Sequence, residues 1–147
     1  MNRILILSVT ALLAGTASGA QAKAMKWVDA SGAGLPAGAK MAVVSGNPAK
    51  AGPFVIRGML PANYAVPPHS HPTDEVVRVI SGGPLTYGMG TKADASNSGS
   101  LTKGYHVTMQ ATMNHWVTTT DPLEIQVSGN GPFAINYVNP ADDPRKK

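Results

Sequence analysis

The chain has 147 residues, of which 12 are basic and 8 acidic, a length that suits one domain with a single core. Hydrophobic residues make up 43%, which argues against global disorder, and the absence of cysteine excludes disulfides, thiol nucleophiles and cysteine-ligated metals. Only 14% of the residues are charged, and no stripe of Lys and Arg marks a nucleic-acid-binding face. The 16 Gly and 12 Pro favour short strands over helices.

Residues 1–22 have the features of a secretory signal peptide. A positive start at Arg3 precedes an apolar run over residues 4–13, and residues 20–22 form the small-x-small pattern that signal peptidase recognises. The apolar run is about ten residues long, whereas a membrane-spanning helix needs about 20. We therefore expect cleavage after residue 22 and export of a single domain, residues 23–147, to the periplasm or beyond, without a membrane anchor.

The mature sequence predicts a series of short strands and no long helix. Segments rich in β-formers and bounded by Gly or Pro recur about every ten residues. They are 41–45, 54–60, 75–81, 85–89, 105–110, 115–120, 123–127 and 133–138. Residues 91–100 are small and polar, which predicts a mobile loop. This spacing of about eight strands indicates an all-β closed barrel or jelly roll with its core at about 40–139.

The placement of the histidines is the most informative feature of the sequence. His69 and His71 are two residues apart on an extended segment, so their imidazoles point to the same side. Glu75 opens the next predicted strand and keeps the same parity. Two imidazoles and a carboxylate on one face can bind a divalent metal that keeps open coordination positions. Solvated histidines in a surface loop are the alternative that the spacing leaves open.

This spacing resembles the first sequence motif of the cupin family. His69, His71, Glu75 and Gly82 match the two histidines, the glutamate and the closing glycine of that motif. The motif's first glycine is replaced by Asn63, a residue that also tolerates a positive φ and can form the same turn.

Residues 104–115 resemble the second cupin motif, whose final histidine matches His115. The family carries Pro-x-Gly before that histidine, whereas this chain has Gln110 and Thr112, so the loop before His115 departs from the pattern. The resemblance covers residues 53–138. It implies a cupin jelly-roll barrel, also called a double-stranded β-helix, with one metal inside.

The resemblance implies that His69, His71, Glu75 and His115 are the metal ligands, for one divalent transition metal: Mn, Fe, Ni, Co, Cu or Zn. It implies an exported enzyme that acts on a small oxygen-bearing substrate as a dioxygenase, decarboxylase, isomerase or lyase. A non-catalytic periplasmic module that binds a metal or a small ligand is the alternative, and a homodimer is compatible with either.

His106 and Arg57 are the candidate catalytic residues. His106 is either an acid–base group that lines the barrel or an ordinary strand histidine. Arg57, on an otherwise apolar strand, either points inward to bind a substrate carboxylate or forms a salt bridge at the rim. The side chains that either line the cavity or pack in the core are Tyr64, Tyr87, Trp116 and Gln126. Three methionines suggest either copper binding or ordinary packing: Met89, Met109 and Met113.

Overall fold

The computed structural model describes residues 24–147, so the predicted signal peptide lies outside the described part of the chain. The strands are β1 Val28–Asp29, β2 Lys40–Ser45, β3 Gly52–Leu60, β4 Ala65–Ser70, β5 Glu75–Gly82, β6 Leu85–Met89, β7 Ser98–Leu101, β8 His106–Met109, β9 His115–Thr119, β10 Leu123–Gly131 and β11 Asn136–Tyr137. Short 3₁₀ helices cover Ser31–Ala33, Ala95–Asn97, Pro140–Asp142 and Pro144–Lys146. Within residues 24–147, no helix has the length and apolar character needed to cross a membrane.

The strands form two antiparallel sheets that together make a jelly-roll barrel. One sheet has the order β1-β2-β3-β10-β5-β8 and the other the order β11-β4-β9-β6-β7. Strands that are distant in sequence are therefore neighbours: β10 pairs with both β3 and β5, and β9 with both β4 and β6. This crossing of the chain confirms the predicted all-β jelly-roll fold.

Strand alternation decides which side chains fill the barrel. On β10, Leu123 and Val127 are buried against the core, whereas Glu124 and Gln126 lie on the opposite face. The interior is built from apolar side chains of both sheets, because each sheet can bury one face only against the other. Buried members of this core include Phe54, Leu60, Val66, Val77, Val79, Leu85, Leu101, Leu123 and Val127.

The structure corrects the predicted elements in several places, and it adds β1 and β4, which are not among the predicted strands. Residues 91–100, predicted as a mobile loop, include a 3₁₀ turn and the first part of β7, which pairs with β6. The predicted strand at 133–138 is shorter, because only Asn136–Tyr137 pairs with β4. The bounds of β6 agree with the prediction, and Glu75 does begin β5.

The segment 30–39 closes one end of the barrel. The hydroxyl of Tyr64 donates a hydrogen bond to the carbonyl of Pro36, and that of Tyr137 donates to the carbonyl of Gly34. The guanidinium of Arg145 lies against Gly34, where a Cβ atom would be only 3.0 Å from Cζ. Both ends of the described chain are therefore joined at this part of the barrel.

Candidate metal centre

The structure brings the four predicted ligands together inside the barrel. His69 lies near the end of β4, His71 follows that strand, and Glu75 and His115 are the first residues of β5 and β9. His69 and His115 face each other in the register of β4 and β9, with ring centroids 4.4 Å apart. All four side chains are buried, so they are not the solvated loop histidines of the alternative interpretation.

Two residues with positive φ shape the backbone around these ligands. Asn63 has φ 54°, which confirms that it adopts the left-handed conformation expected where the cupin motif has its first glycine. Thr112 has φ 64° and stands where the second motif has its glycine. The Thr112 N–H donates to the carbonyl of His71 at 2.8 Å, so the turn before His115 is bonded directly to the segment that carries His71.

Backbone carbonyls fix the tautomer of all three histidines. The Nδ1 atom of His69 lies 2.7 Å from the carbonyl oxygen of Pro67, and that of His71 lies 2.8 Å from the carbonyl oxygen of Ala134. The Nδ1 atom of His115 lies 3.1 Å from the carbonyl oxygen of Met113. A carbonyl oxygen can only accept, so each Nδ1 must carry the hydrogen, and each neutral ring presents its lone pair at Nε2.

The Nε2 atoms meet the carboxylate of Glu75. Glu75 Oε2 lies 3.2 Å from His71 Nε2 and 3.5 Å from His115 Nε2. Neither nitrogen has a hydrogen-bond partner in spite of these short distances. One ligand atom from each of the three histidines lies within 4.8 Å of the others. Buried lone pairs that face a carboxylate repel one another unless a cation, either a proton or a metal ion, lies among them. The arrangement therefore fits a divalent metal.

Ionisation in the metal-free site follows the same geometry. Burial lowers the pKa of His69 to about 3, helped by repulsion from His115 and His71, so this ring is neutral at physiological pH. Burial also disfavours a charge on His71, but the contact with Glu75 outweighs it and raises the pKa of His71. For Glu75, burial opposes ionisation, yet the contacts with His115 and His71 prevail and lower its pKa to about 2.

A cavity of about 80 Å³ adjoins the four side chains. Apart from His69, His71, Glu75 and His115, every side chain that lines it is aliphatic or phenylalanine. Leu35, Phe133 and Ile135 belong to this lining and were missed from the sequence, since none of them lies in a motif. Phe133 stacks on His71, with ring centroids 4.4 Å apart and an interplanar angle of 21°.

The two catalytic candidates do not lie among the cavity-lining residues around the histidines. His106 is exposed, and its Nδ1 atom is 3.4 Å from the guanidinium of Arg78, which corrects the interpretation of His106 as a group that lines the barrel. Arg57 donates to Glu124 at 2.8 Å and to Gln126 at 3.2 Å. Because Glu124 and Gln126 alternate with inward residues of β10, the Arg57 guanidinium lies on the outer face of the sheet, where it forms the salt bridge rather than an inward contact with a substrate carboxylate beside the histidines.

The other polar and sulfur candidates also lie outside this lining. The Tyr64 hydroxyl donates a hydrogen bond to the carbonyl of Pro36, and the side-chain oxygen of Gln126 accepts one from Arg57. Trp116 is buried with its indole over Gly88, where a Cβ atom would meet the ring at 2.4 Å. Among the methionines, Met109 is buried and is the register partner of Glu75 between β8 and β5. Its side chain therefore packs in the protein interior.

Comparison with solved structures gives the same fold. The chain is similar to the DMSP lyase DddQ from Ruegeria pomeroyi DSS-3, with a TM-score of 0.62, 19% identity, and coverage of 79% of this chain and 62% of that one. It is also similar to the polyketide cyclase RemF from Streptomyces resistomycificus, with a TM-score of 0.59, 14% identity, and coverage of 74% and 76%. For KdgF from Halomonas sp. the TM-score is 0.56, the identity 14% and the coverage 71% and 86%.

No protein-family model matches the sequence, and no curated protein matches it. The structural neighbours are cupin proteins, and they include enzymes of the lyase and cyclase classes. With its two antiparallel sheets, its jelly-roll order and these neighbours, the chain has the fold of the cupin superfamily. At identities below 20%, these three likenesses show the fold and not the reaction.

Proposed function

We propose that this protein is an exported, metal-dependent cupin enzyme that binds one divalent transition metal and acts on a small oxygen-bearing substrate. His69, His71 and His115 would hold the metal through Nε2, and Glu75 through its carboxylate. The observation that carries the proposal is the convergence of Nε2 lone pairs on a carboxylate in a buried site, which leaves a place for a cation. Imidazole and carboxylate ligands suit Mn, Fe, Co, Ni, Cu and Zn.

The side chains around this site have separate tasks. Carbonyls of Pro67, Ala134 and Met113 hold the three rings in one tautomer, which keeps the site assembled before the metal arrives. The apolar wall excludes water and strengthens electrostatic interactions beside the ligands. A metal in this position supplies Lewis acidity toward a bound oxygen and, for a redox-active ion, electron transfer.

A non-catalytic binding module is the second candidate, and one observation favours it. Among the described residues, the side chains that line the cavity of about 80 Å³ include no titratable group besides the four proposed ligands. A proton-transfer step would therefore have to use Glu75 or one of the histidines, at a cost to metal binding, or a group brought by the substrate. Turnover of enols and keto acids with oxygen uptake would support the enzyme, whereas stoichiometric binding without any product would support the module.

Metal content tests the proposed ligands. We expect His115→Ala and Glu75→Gln each to lower the amount of metal that copurifies from the native compartment by tenfold or more, together with thermal stability. The matched control is His106→Ala, because His106 is an exposed strand histidine outside the cluster. The protein should be purified without added metal and measured by elemental mass spectrometry. Equal metal loss in His106→Ala and His115→Ala would overturn the ligand assignment.

Export is the remaining part of the proposal, and it rests on the sequence of residues 1–22. Mass spectrometry of a periplasmic extract should find a mature chain that begins near Lys23. An intact chain that starts at Met1 and sediments with the membrane would contradict export in soluble form.

A further inference from the structure

A second cavity adjoins the proposed metal centre and is not explained by metal binding. Its volume is about 330 Å³, and it shares Leu35, Ile56 and Phe133 with the cavity beside the histidines, so the two adjoin each other. Gly32, Ala33, Met41, Pro48 and Ala49 line the second cavity and not the first. The second cavity therefore lies directly beside the proposed metal centre, and residues of β2 and of the segment 32–35 form part of its lining.

The volumes of the two cavities limit the size of each part of a molecule that would fill them. A cavity of about 150 Å³ admits a benzene ring. The inner cavity, about 80 Å³, holds only a compact head group, whereas the second, about 330 Å³, has room for a larger body.

The charges in this space limit what the larger body can be. Two arginines border the second cavity, and both are already paired: Arg57 with Glu124, and Arg145 with Asp143. Arg145 makes hydrogen bonds of 2.8 and 2.9 Å to the two carboxylate oxygens of Asp143 and a third to the carbonyl of Ile135. The remaining lining is aliphatic, methionine, phenylalanine, proline or glycine. A second charged group on the ligand would therefore meet no unpaired charge in this lining, which disfavours its binding.

We propose that the ligand of this protein has one compact oxygen-bearing head, which reaches the histidine cluster, and an uncharged hydrocarbon body, which fills the second cavity. This inference rests on the proposed metal site and adds the class of substrate: amphipathic molecules with a single polar end, such as alkyl or ring-bearing ketones, enols and hydroxy compounds. Small dicarboxylates and other molecules charged at both ends do not fit it.

Hydroxamic acids are suitable probes, because their compact head offers two oxygens to a metal and their chain length can be varied. The full mature protein is loaded with Zn²⁺, which adds no redox chemistry. Calorimetry then compares acetohydroxamic acid, octanohydroxamic acid and the octanohydroxamic analogue that ends in a carboxylate. We expect octanohydroxamic acid to bind at least about 30-fold more tightly than acetohydroxamic acid, since each fully buried methylene is worth about fourfold in affinity and burial of two to three of the six additional methylenes gives this gain. The carboxylate-ended analogue should bind at least tenfold less tightly than octanohydroxamic acid.

Two variants place the hydrocarbon chain in the second cavity. Ala33→Phe should narrow that cavity and weaken octanohydroxamic acid about tenfold while leaving acetohydroxamic acid within twofold. Ala37→Phe is the matched control, since Ala37 is also exposed on the same segment but does not line either cavity. Met41→Lys adds a cation to the second cavity alone and should reverse the preference, so that the carboxylate-ended analogue binds more tightly than octanohydroxamic acid.

The outcomes separate this inference from the proposed function. A protein that binds no Zn²⁺ contradicts the metal site. A protein that binds Zn²⁺ and acetohydroxamic acid, but gains nothing from the alkyl chain, overturns the inference and leaves the metal site intact. Tight binding of the carboxylate-ended analogue to the unchanged protein would also overturn it, because Arg145 or Arg57 would then be available to an anion.

Discussion

At the scale of single residues, the hydrogen bond at each Nδ1 decides what the histidines can do. Because Pro67, Ala134 and Met113 offer carbonyl oxygens, the imidazoles of His69, His71 and His115 must donate at Nδ1 and keep Nε2 free. The carboxylate of Glu75 then needs a positive charge opposite it. Contact with this carboxylate raises the pKa of His71 although its ring is buried, so a proton at its Nε2 is held more strongly than on a free imidazole.

We therefore predict that the proton on His71 competes with the metal near neutral pH. The raised pKa of His71 means that the protonated ring persists above about pH 6.5, its unperturbed value, and metal must displace that proton. The ring of His69, with a pKa lowered to about 3, stays neutral over the same range. Zn²⁺ affinity should fall about tenfold for each pH unit below the pKa of His71.

Calorimetric Zn²⁺ titrations at several pH values, in buffers of different ionisation enthalpy, measure this competition directly. Proton release on binding should be small at high pH and approach one proton from His71 as the pH falls through its pKa. A Zn²⁺ affinity that is constant from pH 8 to pH 5.5 would contradict the raised pKa of His71.

At the scale of elements, the loop between β8 and β9 shows how a strained turn joins two ligand-bearing segments. Thr112 is β-branched and holds φ 64°, a conformation that costs such a residue roughly 1 kcal/mol or more. It is retained because its N–H bonds to the carbonyl of His71 while the following residues lead into His115. The strained conformation of Thr112 therefore helps to place both His71 and His115.

Thr112→Asn should relieve this strain, since asparagine adopts positive φ more readily than threonine. We expect the free energy of unfolding in urea to rise by about 0.5–1 kcal/mol, with metal content unchanged. Thr102→Asn is the control, because Thr102 is exposed and does not have a positive φ. Destabilisation by Thr112→Asn, or equal effects at both positions, would show that the threonine side chain itself supports the loop.

The sequence predicted those elements whose local pattern is strong. Glu75 at the start of β5 and Asn63 in its turn follow from motif spacing and from turn chemistry, both of which are local. The orientation of Arg57 could not be predicted, because β3 has apolar residues on both faces and strand parity is then ambiguous. The strand β7 was missed for a related reason: its sequence Ser-Gly-Ser-Leu has little β-propensity, and it is stabilised by its pairing with β6.

The cavity wall was the least predictable part of the site. Leu35 and Phe133 come from distant parts of the described chain and meet only because the barrel closes. Neither residue has a spacing relative to the histidines that a motif could express. The cluster of His69, His71, Glu75 and His115 was thus accessible from local sequence, whereas the shape of the space beside it depends on long-range contacts.

At the scale of the whole molecule, the two ends of the described chain jointly close the barrel beside the cavities. Tyr64 and Tyr137 donate to the carbonyls of Pro36 and Gly34, which are the residues on either side of Leu35. Leu35 lines both cavities, so these two hydrogen bonds fix one wall of the proposed binding space. Burial raises the pKa of Tyr137 to about 12, so its hydroxyl remains a donor throughout the physiological range.

Removing these hydroxyls should loosen the segment 30–39 without disturbing the metal ligands. In Tyr64→Phe and Tyr137→Phe the ring stays in place, and each variant should lower the free energy of unfolding by about 1 kcal/mol. The amide hydrogens of Ala30 and Leu35, which bond to the carbonyls of Ala39 and Ala30, should exchange faster in the double variant.

Hydrogen exchange read by mass spectrometry, with Zn²⁺ content measured on the same samples, tests this closure. Tyr105→Phe is the control, because Tyr105 is 70% exposed and its loss of a hydroxyl should leave both measurements unchanged. Faster exchange confined to 30–39, with full Zn²⁺ content, is the expected result, since Phe at position 137 still packs beside His69. Unchanged exchange in the double variant would mean that the apolar contacts of Leu35, rather than the tyrosine hydroxyls, keep the barrel closed.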